Sequence, residues 1–228
     1  GVQGQDRNEN GNASGGLGGP GACGGQYGTA DVTDASKAAG HCAPPGALHG
    51  QGGRSTSGTP DYLNWGYGPG GGRLSTSDDE EGGGGGAYGA NGGNGGDSSG
   101  SGGDGGTLYG DDEITTLYGG SGGGGSREDN GARAPGGDGG GSIELIALGT
   151  LTFSGTINAY GGRGGDGEKS NDSSSGGGGS GGGVILAAAT LDVTDGAAIN
   201  AYGGRGGNAS GTAFDGGEGI WFHDRFIY

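Results

Sequence analysis

Residues 139–165 read GGGSIELIALGTLTFSGTINAYGGRGG, and residues 181–207 read GGGVILAAATLDVTDGAAINAYGGRGG. The two stretches align end to end as copies. Each opens on glycines, passes through three short β-favouring segments parted by Gly or Asp, and closes on AYGGRGG. The segments are 143–148, 150–154 and 156–160 in the first copy, and 184–188, 191–194 and 198–202 in the second. In TLTFSGTINAY, the residues Leu151, Phe153, Ile157 and Ala159 share one face once Gly155 bends the chain. Self-similar units of this kind stack, each burying a face that its neighbour needs. The C-terminal half is therefore expected to be stacked parallel β, solenoid-like in character.

A third copy begins at GGEGIWFHDRFIY (216–228). Its Ile220, Trp221, Phe222, Phe226, Ile227 and Tyr228 have no further strands to accompany them. An exposed aromatic strand invites association, so it docks either on this chain's own stack or on a neighbouring subunit by strand addition. These six residues are candidate subunit contacts.

Upstream, residues 81–141 are the glycine-dense middle, with GGGGGAYGANGGNGG, GGDGGTLYG and LYGGSGGGGS. Each Gly costs a helix about 1 kcal/mol, so helix is excluded here. Such stretches suit extended polyproline-II strands, which have no internal hydrogen bonds and no side chains to keep them apart. Several can approach closely and pair amides with neighbouring carbonyls. Residues 1–80 are irregular and hold both cysteines and every proline but Pro135. Tyr62, Leu63, Trp65 and Tyr67 form a small apolar cluster there. The fold class expected is all-β with extensive polyproline-II strands and almost no helix. Three regions are expected: 1–80, 81–141 and 142–228, the last continuous with the glycine-rich bundle.

Composition narrows the function. Of 228 residues, 73 are Gly and 6 are Pro, with no Gly-X-Y period, which excludes a collagen triple helix. Hydrophobic residues make up 27%, a level at which disorder is the default unless the apolar residues cluster, as they do here. With 26 acidic and 10 basic side chains the net charge is -16. A surface this acidic repels phosphate backbones, so nucleic-acid binding is not expected despite the two Arg-Gly-Gly sequences. No apolar run is long enough to span a membrane as a helix. Opening on Gly and lacking Met, the chain reads as a processed portion of a secreted precursor.

Cys23 and Cys42 are expected to form a disulfide in an oxidising compartment, worth roughly 3 kcal/mol for a short loop. His41 and His49 nearby lack zinc-site spacing. Asn12, Asn171 and Asn208 each open an Asn-x-Ser sequon and are candidate glycosylation sites. The acidic runs at Asp78, Asp79, Glu80 and Glu81 and at Asp111, Asp112 and Glu113 are candidate calcium ligands, oxygen donors of the kind that hard cation takes. A solvated acidic turn is the plainer reading of either run. Arg163 and Arg205, at matching repeat positions, are expected to stack on Tyr or pair with acids in adjacent turns.

On GGGSIELIALGTLTFSGTINAYGGRGG, its second copy and ITTLYGGSGGGGS, the chain resembles glycine-rich repeat surface and matrix proteins of bacteria and protists. The resemblance spans about residues 82–222. It implies a secreted structural protein of a cell surface or filament. A weaker resemblance, on GGRGGDGEK and GGDGGTLYGDDE, is to calcium-binding nonapeptide-repeat proteins, without their tandem Asp offsets. GGGGGAYGA also looks like the polyglycine domains of phage tail-tip adhesins and some receptor kinase ectodomains, from which only the packing idea carries over.

Catalytic motifs dissolve on inspection. Residues 119–123, GGSGG, satisfy Gly-x-Ser-x-Gly, yet no strand-turn-helix context surrounds them. His41, His49 and His223 show no triad or zinc-hydrolase spacing. No enzyme is expected. The sequence points to a structural extracellular protein, a homo-oligomer or polymer forming a filament, surface layer or matrix and bearing glycans. The alternative is an adhesin or calcium-dependent binding module on a cell or virus surface.

Overall fold

The computed structural model describes residues 66, 68, 70–73, 81–96, 102–109, 117, 119–126, 134–167, 174–209 and 219. Among them there is no helix, and the strands are β1 (Ile143–Phe153), β2 (Thr156–Asn158), β3 (Val184–Val193) and β4 (Ala198–Asn200). The described part is thus mostly β in character, as expected. Most of the rest consists of nine extended glycine-rich segments: p1 (70–73), p2 (81–88), p3 (91–96), p4 (102–109), p5 (119–126), p6 (134–142), p7 (159–167), p8 (174–183) and p9 (201–209).

The hydrogen bonds of p2 show how glycine builds this architecture. Gly82 and Gly85 donate their N–H groups to Gly96 and Gly93 of p3. Gly83 and Gly86 donate to Ser175 and Gly178 of p8, and Gly84 and Ala87 donate to Arg73 and Gly70 of p1. Each N–H direction therefore recurs every third residue, the period of the polyproline-II helix. The p2 carbonyls serve two further neighbours, accepting from Gly103 and Gly106 of p4 and from Gly124 of p5. Segment p8 is bonded in the same way to p2, p5, p6, p7 and p9. Together the pairings arrange the segments in four rows: p7–p9, p6–p8, p5–p2–p3 and p1–p4.

Such packing tolerates no side chain toward a neighbour. A Cβ added at Gly84 would fall on the Asp104 carbonyl, and one at Gly177 would fall on the Gly84 carbonyl. Gly is costly to order, and its extended conformers are held here by backbone hydrogen bonds to several neighbouring segments at once. Each bond contributes about 0.5–1.5 kcal/mol net. Among the described residues the apolar contribution is small: the buried hydrophobic ones are Ala87, Tyr88, Ala134, Ile157 and Ala159. Serine takes most of the remaining interior places, alongside Glu81, Pro135 and Asp138. Ser180 Oγ accepts from the Ser121 N–H at 2.8 Å and donates to the Ala87 carbonyl at 3.0 Å. Ser121 Oγ accepts from the Gly70 N–H at 3.1 Å, and Ser126 Oγ accepts from the Ala134 N–H at 2.8 Å.

The two sequence copies are superposed neighbours in this frame. Each runs along row two (p6 or p8), through its strands, and back along row one (p7 or p9). β1 pairs with β3 in parallel and β2 with β4 in parallel, Ile157 opposite Ile199. The first two segments expected in each copy merge into one strand. In β1 the register shifts between Ala147 and Thr150, where Leu148 and Gly149 face the single Ala189. Such a two-against-one count is a β-bulge. The pairing continues into the glycine segments, with Gly161, Gly164 and Gly167 donating to Tyr202, Arg205 and Asn208. Residues in p1, assigned by sequence to the irregular N-terminal region, bond to p2, p4 and p5 as members of the same frame.

Candidate interaction surface

The motif AYGGRGG is a lattice strand. In p7 the residues Tyr160, Arg163 and Asp166 are half-buried while the glycines between them are buried. In p9 Tyr202, Arg205 and Asn208 are exposed while Gly204 and Gly207 are buried. A three-residue turn explains this: one residue in three points out, and the two glycines face the neighbouring segments. Because p7 and p9 pair in register, row one presents Tyr beside Tyr, Arg beside Arg, and Asp beside Asn.

The array is cross-linked. The Tyr160 and Tyr202 rings stack with centroids 5.9 Å apart and planes at 16°. Asn200 Nδ2 donates to Asn158 Oδ1 at 2.9 Å, one residue pair before the strands become glycine segments. Arg163 Nη2 donates to Asp166 Oδ1 within p7, and the Asn208 N–H of p9 donates to the same oxygen at 2.7 Å. Arg163 therefore pairs with an acid on its own segment, and that acid carries the bond across to the next. Both surfaces of this pair are partly screened, with relative exposures of 31% and 29%, so the ion pair contributes modestly.

A second surface lies midway along β1. Leu148 in the bulge is 98% exposed and Ile146 is 66% exposed. Both stand on a sheet of only two strands, which leaves apolar side chains without a covering layer among the described residues.

Of the residues singled out by sequence, Asn208 lies on the exposed row-one face. Cys23, Cys42, Asn12, Asn171, Asp78, Asp79, Glu80, Asp111, Asp112, Glu113, Ile220, Trp221, Phe222, Phe226, Ile227 and Tyr228 lie outside the described residues. Glu81, the last member of the first acidic run, is buried at 1% exposure at the head of p2. Ser121 of the Gly-x-Ser-x-Gly match is fully buried, its hydroxyl engaged by the Gly70 amide. Among the described residues no group of three or more His, Cys, Asp or Glu is placed to hold a metal, and no helix is long and apolar enough to cross a membrane. In comparisons with protein-family models, curated proteins and solved structures, nothing matches this chain.

The Gly-Gly-X stretches were legible as extended strands; what sequence reading missed is that the triplet marks the rim. NGGNGG in p3, GGDGGT in p4 and YGGRGG in p7 and p9 carry a side chain every third residue. Uninterrupted Gly, Ser and Ala mark p5, p8 and, between Glu81 and Tyr88, p2, and all three segments are buried throughout. Triplets belong to the rim of the lattice and unbroken small residues to its centre.

Proposed function

We propose that this chain is a structural extracellular protein, a building unit of a filament, surface layer or matrix. The observation that carries the reading is the lattice, in which p2 and p8 each bond to five neighbouring segments. Bonding in that many directions makes a stiff body from backbone alone, a property suited to bearing load. The solenoid-like stacking of the β repeats belongs to the same reading: row one repeats its Asn, Tyr and Arg positions from one copy to the next. Lateral contact between units uses the rim segments and the exposed apolar residues Ile146 and Leu148 of β1. The acidic charge keeps such units soluble before they assemble. Sequon glycans, including one at the exposed Asn208, would cover the outside.

Electron microscopy and sedimentation of the native material test the reading. Filaments, sheets or large regular oligomers are expected. A protein that stays monomeric at high concentration and binds cells or glycans instead would replace it with the adhesin reading.

A further inference from the structure

Tyr160 of p7 and Tyr202 of p9 occupy the same place in the two copies of AYGGRGG, and the backbone holds them side by side. The Gly161 N–H donates to the Tyr202 carbonyl at 2.8 Å, and the Gly164 N–H donates to the Arg205 carbonyl at 2.9 Å. On the strand side, Asn200 Nδ2 donates to Asn158 Oδ1 at 2.9 Å. Fixed in register from both directions, the two phenol rings lie nearly parallel, with planes at 16° and centroids 5.9 Å apart. Tyr202 is 47% exposed, and Tyr160 is half-buried beside it.

A second tyrosine pair among the described residues is built differently. Tyr88 and Tyr109 have ring centroids 5.0 Å apart, closer than the first pair, but their planes cross at 50°. Tyr88 is only 3% exposed, and the Tyr109 hydroxyl donates to the Gly119 carbonyl at 2.5 Å. These phenols are enclosed by the lattice and serve its packing. Two parallel phenols on an accessible rim have a chemistry that enclosed ones lack.

We propose that Tyr160 and Tyr202 are an oxidative cross-linking site, coupled to dityrosine by a peroxide acting through a peroxidase-type catalyst. Each phenol gives up one electron and its hydroxyl proton. The two tyrosyl radicals join through a new bond between one Cε of each ring, the carbon next to the one bearing oxygen. The hydrogen on each of those carbons then shifts to its own oxygen, which restores both phenols. The pair loses two electrons and two protons in all, and with these one hydrogen peroxide becomes two waters. Both rings lie on the rim within reach of the oxidant, and holding them together makes the coupling step effectively unimolecular. The bond staples the first copy to the second and closes a covalent loop, which restrains the unfolded chain as a disulfide does. The site follows from the pairing of the two copies and stands whether or not the chain builds a filament.

Treating dilute full-length protein with hydrogen peroxide and a peroxidase tests the proposal, the monomer being isolated by size and its peptides mapped by mass spectrometry. The expected product is a monomer lighter by two hydrogens in which the peptides bearing Tyr160 and Tyr202 are joined. Its yield should exceed that from the urea-unfolded chain by at least about tenfold. Tyr160→Phe and Tyr202→Phe, which keep both rings, should each abolish that product. A monomer without dityrosine, or equal coupling in the unfolded chain, would overturn the proposal. So would a main product joining Tyr88 to Tyr109 or any other pair among the nine tyrosines, or dimers linked through Tyr202. The comparison of folded and unfolded unsubstituted chain decides the matter even where a variant folds poorly.

Discussion

Gly177 and Gly149 are the same residue under opposite constraints. A Cβ at Gly177 collides with the Gly84 carbonyl, whereas one at Gly149 meets nothing within 4 Å. Gly177→Ala is therefore expected to destabilise by about 1–3 kcal/mol or more, since backbone cannot step aside as a side chain can. Gly149→Ala should be near neutral, and paired thermal melts of the two variants check the contrast. Ser180→Ala removes the acceptor of the buried Ser121 N–H and is expected to cost about 1–3 kcal/mol, read from denaturant midpoints. Sequence alone showed that glycine was abundant. It did not show which glycines were obligatory, because that depends on whose carbonyl lies opposite, a fact fixed only by the pairing of distant segments.

At the level of elements, the two copies were legible as copies, and their β character followed from the apolar segments of each. Their parallel pairing appears as expected, Ile143 opposite Val184 and Thr156 opposite Ala198. Less legible was the conformation of AYGGRGG. In the fold the motif is a straight rim strand, and its Tyr and Arg are outward because the turn has three residues. Period three is hard to see when neither the apolar alternation of a strand nor the spacing of a helix is present. The ladder predicts its own sensitivity. Tyr202→Ala should cost about 0.5–1.5 kcal/mol through loss of the Tyr160 stack, and Tyr160→Ala with Tyr202→Ala should cost less than the two separately summed. A double-mutant cycle by chemical denaturation measures the coupling.

Taken together, the described residues form a hydrogen-bonded frame with few buried apolar side chains. Ordinary domains gain about 12–15 cal/mol/K of heat capacity per residue on unfolding, driven by apolar exposure. This protein should gain clearly less, below about 10 cal/mol/K per residue, because unfolding exposes mainly peptide groups, which lower the heat capacity. Differential scanning calorimetry at several pH values gives the quantity. A value in the ordinary range would point to a larger apolar core than the described residues contain. The central claim, extended strands bonded with a period of three, is tested most directly by residue-resolved amide hydrogen exchange. In p7 the account predicts slow exchange at Gly161, Gly162, Gly164, Gly165 and Gly167, whose N–H groups all donate to neighbouring segments. Protection at every second residue, or none along the segment, would contradict it.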